Sequence, residues 1–331
     1  MAKALSGPVP VVVVGLGAIG REIARAALQS EEVTLVGAVD THPGLVGSAL
    51  SSLGVPSDLR VQPGLGRRPA RGRAPVVLHA TGSSLPAVAD QLLHAMHGGH
   101  PVVSTCEELS FPWVRHPELA NRLERAAQRA GVALLGTGVN PGFVLDRLAA
   151  TVGQALGPVR HVLARRVVDA RTRREALQRK IGAGLTEEEF DALAAEGRVG
   201  HVGLLESAAL CAVGLGLDVD DYEEEVAPIV AEEDIRGGAF PVPRGRVAGS
   251  VHTVVGMEDG QERLRMELTL ALGAEPAGDH LEIESDTRLT LHIPGGIPGD
   301  AATAQLVVHA APRVAAAESG LLTVLDLPAG R

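Results

Sequence analysis

Val11 to Val14 is an unbroken β-branched run, and it feeds directly into Gly15, Gly17 and Gly20. A strand that is apolar at every position belongs in a sheet covered on both faces. Behind the glycines, Ile19, Ile23, Ala26 and Ala27 recur at helical spacing, and Val33 to Val39 forms a second apolar strand that closes on Asp40. Strand, GxGxxG, helix, strand and acid in that order predict the first βαβ unit of a parallel sheet with helices on both faces.

Each position in that unit has a chemical reason. Gly15 permits the tight turn, Gly17 lets the backbone approach a pyrophosphate, and Gly20 allows the helix to pack closely on the strand. Ala18 and Ile19 open the helix, whose N-terminal amides and dipole favour an anion. Asp40, about 20 residues beyond the last glycine, is placed to accept hydrogen bonds from both ribose hydroxyls of an adenosine and to repel a 2′-phosphate. NAD is therefore the expected cofactor. NADP stays open, because Thr41, His42 or Arg60 can tolerate the extra phosphate.

The alternation continues. Ala74 to Ala80 is a further buried strand, followed by the turn Thr81, Gly82, Ser83, Ser84 and a helix from about Pro86 to His97. Thr81 and Gly82 stand at a strand-to-turn junction, the edge of an open α/β sheet where a nucleotide binds. Pro101 to Thr105 and Val132 to Leu135 are two more strands around a helix at 118–130. The segment 62–75, rich in Pro, Gly and Arg, reads as a solvated loop. Beyond NPGF the character changes to several extended runs in succession, which predicts an α+β domain on a mixed or antiparallel sheet. The expected organisation is an α/β dinucleotide-binding domain over 1–142, a substrate and dimerisation domain over 143–300, and a C-terminal segment over 301–331 that packs back on the first domain.

Composition excludes other classes. At 331 residues there is room for two ordinary domains, and 45% hydrophobic with 21% charged residues describes a globular chain. The net charge of −10 opposes non-specific nucleic-acid binding, which requires a basic surface. Two cysteines, Cys106 and Cys211, make neither a disulfide framework nor a zinc cluster. No metal constellation emerges from the twelve histidines, and no run is long enough to span a membrane. A cytoplasmic location is expected.

The stretch VVSTCEELS (102–110) ends a strand in two adjacent carboxylates, Glu107 and Glu108. Ser104 or Thr105 with a glutamate three residues on is a capping-box pattern. A general base at the carboxyl edge of the sheet is the alternative reading. Asn140, ahead of Pro141 and Gly142, is either a turn residue or a ligand contact. Arg165, Arg166, Arg171, Arg173 and Arg174 form a basic run, either a solvated face or, at Arg166 and Arg173, an inward-pointing pair able to hold a carboxylate or orient Glu108. Cys106 has no identifiable activating partner and reads as a small buried hydrophobe.

Taken together, STCEEL (104–109), GTGVNPGF (136–143), VVDARTRREALQRKIGAGLT (167–186), GHVGLLES (200–207) and GGIPGDAATA (295–304) resemble the 2,4-diaminopentanoate dehydrogenase family. That family includes the native NAD(P)H-dependent amine dehydrogenases, within the dihydrodipicolinate reductase-like superfamily. The resemblance implies reversible reductive amination of a ketone or aldehyde with ammonia, or the reverse on a primary amine such as a 2,4-diaminopentanoate-like substrate. It places the catalytic glutamate in CEEL, with Glu108 preferred to Glu107, and Asn140 beside both nicotinamide and substrate. Glu107, Phe143, Leu145, Arg166, Arg173, His201 and His252 are then expected around the substrate, and a homodimer is implied. Val308-His309 and AGDHLEIESDTRL (277–289) depart from the family pattern, which leaves the substrate open. An imine reductase of the dihydrodipicolinate reductase kind and a non-catalytic NAD-binding regulator are the competing readings; the region RRVVDARTRREALQRK has neither the His pair nor the Ser-Gly-Thr of that reductase.

Overall fold

The computed structural model describes residues 7–66, 73–328 and 330; the arginine-rich centre of the 62–75 loop lies outside them. From the N-terminus the elements are β1 (Val9–Val14), α1 (Ala18–Gln29), β2 (Val33–Val39), β3 (Val61–Gln62), β4 (Val76–His79), α2 (Leu85–His97), β5 (Val102–Ser104), α3 (Pro117–Ala130) and β6 (Ala133–Gly136). There follow α4 (Arg147–Gly153), β7 (His161–Asp169), α5 (Glu175–Lys180), α6 (Glu187–Ala195), α7 (Leu204–Leu215), β8 (Asp221–Val230), β9 (Val247–Glu258), β10 (Gln261–Ala271), β11 (Gly278–Glu284) and β12 (Arg288–Pro294). The chain ends in α8 (Gly299–Ala316) and β13 (Gly320–Leu322). Two compact units result, Met1–Phe143 with Pro298–Arg331, and Val144–Ile297.

The first unit is a seven-stranded sheet in the order β13-β6-β5-β4-β1-β2-β3, parallel at every pairing. β4, β5 and β6 are buried at every residue, as strands covered on both faces must be. The strand order reverses at β1, so the Gly15 turn sits at the switch point where open α/β sheets bind their ligands. α8 packs on α1, β4 and β5, which returns the C-terminal segment to this unit.

The second unit carries a six-stranded mixed sheet, β12-β11-β7-β10-β9-β8, in which only the β10 and β7 pairing is parallel. One face is covered: Val162, Ala164, Leu264, Met266, Leu268 and Val254 are buried, and α7 packs across β9 and β10. The alternate residues, among them Leu163, Val167, Val251 and Val255, are only half-buried. Between them lie ion pairs such as Arg165 with Glu267 at 2.6 Å. Strand β8 is not legible in the sequence, because DYEEE breaks the alternation of a half-buried strand. Its place at the sheet edge explains the acids, since exposed charge on an edge strand blocks pairing with a foreign strand.

Candidate active site

The glycine turn fits a bound dinucleotide. Gly15 has φ of +89°, and a Cβ there would lie 2.5 Å from the Ala80 carbonyl oxygen. A Cβ on Gly20 would fall 1.7 Å from the Gly15 carbonyl oxygen, so this helix reaches the strand only through glycine. At Gly17 nothing lies within 4 Å of the Cβ position, which keeps the approach to the α1 amides open. Gly17 is also the N-cap of α1, with no side chain capping the helix, so a pyrophosphate is the natural partner for its first amides. Ala18 and Ile19 form the first turn. Asp40 is already oriented: Oδ2 accepts from Leu16 N–H at 2.8 Å and Oδ1 from His42 N–H at 2.8 Å. Each oxygen keeps a lone pair, which is what a ribose diol requires.

Thr81 lies against that turn, its Cγ2 being 2.8 Å from the Cβ position of Gly15, and Gly82 packs toward Val88. A network centred on the buried His79 and Ser104, absent from the sequence reading, holds them. His79 Nδ1 meets Ser104 Oγ at 2.8 Å; its Nε2 meets Thr81 Oγ1 at 2.8 Å and Gln91 Oε1 at 3.2 Å. Thr81 Oγ1 donates to Gln91 Oε1, and Ser104 Oγ accepts from Cys106 N–H. One neutral tautomer serves all of these, with Nε2–H donating and Nδ1 accepting from the Ser104 hydroxyl. Burial lowers the pKa of His79 from the ordinary 6.5 to about 4, with the Gln91 bond opposing that shift.

Below the unfolded value near 6.5 the unfolded chain binds a proton that the folded chain refuses until pH falls to about 4. Stability fully present above pH 6.5 is thus lost as pH drops toward 4, by about 3 kcal/mol in all. Thermal melts of the wild type and His79→Gln at pH 7 and pH 5 check this. The wild type should lose more of its melting temperature, and equal losses would refute the assignment.

The VVSTCEELS segment is knit to the same turn. Thr105 N–H donates to the His79 carbonyl, Cys106 Sγ to the Ser83 carbonyl at 3.1 Å, and Glu108 N–H to Ser83 at 3.4 Å. Cys106 is fully buried, and burial raises its thiol pKa above the ordinary range, with the Glu107 charge adding to the rise. The capping box that Ser104 or Thr105 offered as one reading does not form, for the 3₁₀ turn Glu107–Leu109 has Cys106 as N-cap and no side-chain cap. Capping does occur, on a different helix. Glu108 Oε2 accepts from Leu85 N–H, the first amide of α2, at 2.6 Å, and from His116 Nε2 at 3.0 Å. Both bonds fall on one oxygen, and Oε1 accepts none among the described residues.

Asn140 is buried in a tight turn whose Val139 N–H donates to Thr303 Oγ1 at 3.1 Å. Phe143 closes the first unit and is half-buried.

In the second unit Leu145 is fully buried. Arg166 departs from the expectation of a substrate-facing cation. Its Nη1 donates to Asp279 Oδ1 at 2.6 Å and its Nη2 to the Ile297 carbonyl at 2.5 Å, with the side chain buried. Arg173 follows a 3₁₀ turn whose carbonyls are gathered by Gln178, buried completely and bonded to Ala170 and Arg173 through Nε2 and to Ala239 N–H through Oε1. His252 is buried, and its Nε2 meets Glu224 Oε1 at 3.0 Å while Nδ1 has no partner among the described residues. The turn before His201 reaches the same place, since the Cβ position of Gly200 lies 3.1 Å from Val226, the β8 residue opposite His252. His252 and Glu224 thus meet at the β8 edge of the second sheet, and the turn one residue before His201 packs on Val226 of the same strand. Among the described residues no group of His, Cys, Asp or Glu is arranged to hold a metal ion, and no helix is long and apolar enough to cross a membrane.

Residues 143–331 match the 2,4-diaminopentanoate dehydrogenase C-terminal domain. The 2,4-diaminopentanoate dehydrogenase of Acetoanaerobium sticklandii is 30% identical over 332 aligned positions, covering 98% of this chain and 94% of that protein. The structure of an amine dehydrogenase from Mycobacterium smegmatis superposes with a TM-score of 0.81 at 24% identity, over 98% of this chain and 97% of the other. A dipicolinate-bound dihydrodipicolinate reductase from Paenisporosarcina sp. TG-14 shares the fold at a TM-score of 0.52 and 12% identity, over 96% and 98% of the two chains.

Proposed function

This chain belongs to the 2,4-diaminopentanoate dehydrogenase family, and from that premise we propose that it is an amine dehydrogenase catalysing reversible reductive amination of a ketone or aldehyde with ammonia. It is an NAD(P)-dependent oxidoreductase acting on amine groups. NAD is the expected nucleotide and NADP is admitted; when bound, it exchanges hydride with the substrate carbon. Gly15, Gly17, Gly20 and Asp40 hold it, with Ala18, Ile19, Thr81, Gly82 and Asn140 alongside.

The observation that carries the proposal is the state of Glu108. One oxygen is anchored by two donors and the other accepts none among the described residues. A carboxylate so held can take a proton from ammonium, which frees the nitrogen lone pair to attack the carbonyl carbon. The same proton is returned as the carbinolamine hydroxyl leaves as water, and the carboxylate charge then favours the positive iminium. His201, His252 and Arg173 of the second unit, and Glu107 and Phe143 of the first, are the further residues proposed to recognise the substrate. The open face of the second sheet is the surface through which two copies associate, in the cytoplasm.

The test is a spectrophotometric assay of NADH loss with ammonium and a panel of short ketones, aldehydes and 2-amino-4-oxopentanoate, on a sample whose dimeric mass is first read by light scattering. Ammonia-dependent oxidation of NADH is expected with at least one carbonyl. Turnover of a preformed cyclic imine with no ammonium requirement would instead make the chain an imine reductase.

A further inference from the structure

We infer that His116 is a positioning residue for Glu108: by holding Oε2 it leaves Oε1 as the oxygen that exchanges the proton. This rests on the reading of Glu108 as the base. His116 is the N-cap of α3, yet its side chain caps nothing. The helix start is served by the backbone, with Ala120 N–H on the His116 carbonyl. The ring instead reaches eight residues back to Glu108. Both side chains are largely shielded, His116 at 23% and Glu108 at 13% exposure. A bond in that setting is not exchanged cheaply for one to water.

Geometry explains why one donor is not enough. Leu85 N–H alone fixes a single direction and leaves the carboxylate free to swap its two oxygens by rotation about its last torsion, which is broad and two-fold. A second donor from another element, converging on the same oxygen, removes that freedom. Two helix starts, those of α2 and α3, therefore clamp one carboxylate oxygen. Neutral His116 performs this task only as the Nε2–H tautomer, since the other tautomer would set a lone pair against the carboxylate.

The proposal is tested with His116→Leu and His116→Gln, the second because the glutamine amide can present an N–H where Nε2 stood. His116→Leu should lower kcat about tenfold to hundredfold, the cost of one hydrogen bond to a charged group. KM for NADH should stay within about twofold, and His116→Gln should recover kcat to within about threefold of the wild type. In a Glu108→Gln background His116→Leu should cost nothing more, because the bond then has no base to orient. Ring 15N shifts of His116 in the nucleotide-free protein at alkaline pH should show the Nε2–H tautomer. Wild-type kcat in His116→Leu, equal losses in the Leu and Gln variants, or an Nδ1–H ring would each overturn the inference while Glu108 remained the base. Full turnover in Glu108→Gln would overturn the assignment of Glu108, and this inference with it.

Discussion

Glu108→Gln is expected to lower ammonia-dependent turnover by about 100-fold to 10,000-fold, the range for loss of a positioned general base. At about 1.4 kcal/mol per factor of ten, that is roughly 3–5 kcal/mol of barrier. The substitution is a clean one here. A glutamine carbonyl can still accept from Leu85 N–H and His116 Nε2, so the start of α2 keeps its partner. Only the ability to carry a proton is lost. The melting temperature should stay within a few degrees of the wild type, and NADH should still bind, because the Gly15 turn and Asp40 are untouched. Glu107→Gln is the companion measurement, since the two carboxylates are adjacent in sequence. Turnover within threefold of wild type in Glu108→Gln, with collapse in Glu107→Gln, would move the base to Glu107 and leave Glu108 as the cap of α2 alone.

That comparison matters because the residues near 108 in sequence are not those near it in space. The βαβ unit around Gly15 was readable because its logic is local: a strand, three glycines at fixed spacing, a helix and an acid. The strand 102–104 was readable for the same reason. What Glu108 does was not, because its partners stand 23 and 8 residues away and belong to the starts of two other helices. The S/T-x-x-E pattern offered a capping box as one of two readings, and the bond Glu108 makes to a helix start lies on α2, which that pattern does not reach. His79 carried no sequence signal at all. It sits in a buried strand as an ordinary-looking polar residue, and its network spans β4, β5 and α2. In the second unit, the succession of extended runs revealed a mixed or antiparallel sheet, whereas the acidic edge strand β8 was hidden by its own solubility device.

Arg166 is where local pattern misled most, and its pair with Asp279 is expected to show the largest effect on stability. The two lie 113 residues apart, on the neighbouring strands β7 and β11, in register with each other. Asp279 is bonded on both oxygens, Oδ1 to Arg166 and Oδ2 to Ile297 N–H at 2.7 Å, while the Arg166 Nη2 holds the Ile297 carbonyl. Burial lowers the Arg166 pKa and the Asp279 charge restores part of it, so the cation depends on its partner. Asp279→Ala removes the counter-charge and orphans the Ile297 amide together. Breaking one side of a buried pair costs about 3–5 kcal/mol, and for a domain of this size that is a fall of very roughly 6–20 °C in melting temperature. Arg166→Met with Asp279→Leu, which removes both charges and refills the volume, should recover the part of the loss that comes from the unpaired ion, while the Ile297 amide and carbonyl stay without their partners. A substrate-binding arginine would behave differently: Arg166→Met would raise KM for an acidic carbonyl and leave the melt unmoved. Circular dichroism melts of the three variants separate the cases, and an Asp279→Ala protein that melts with the wild type would sink the clamp.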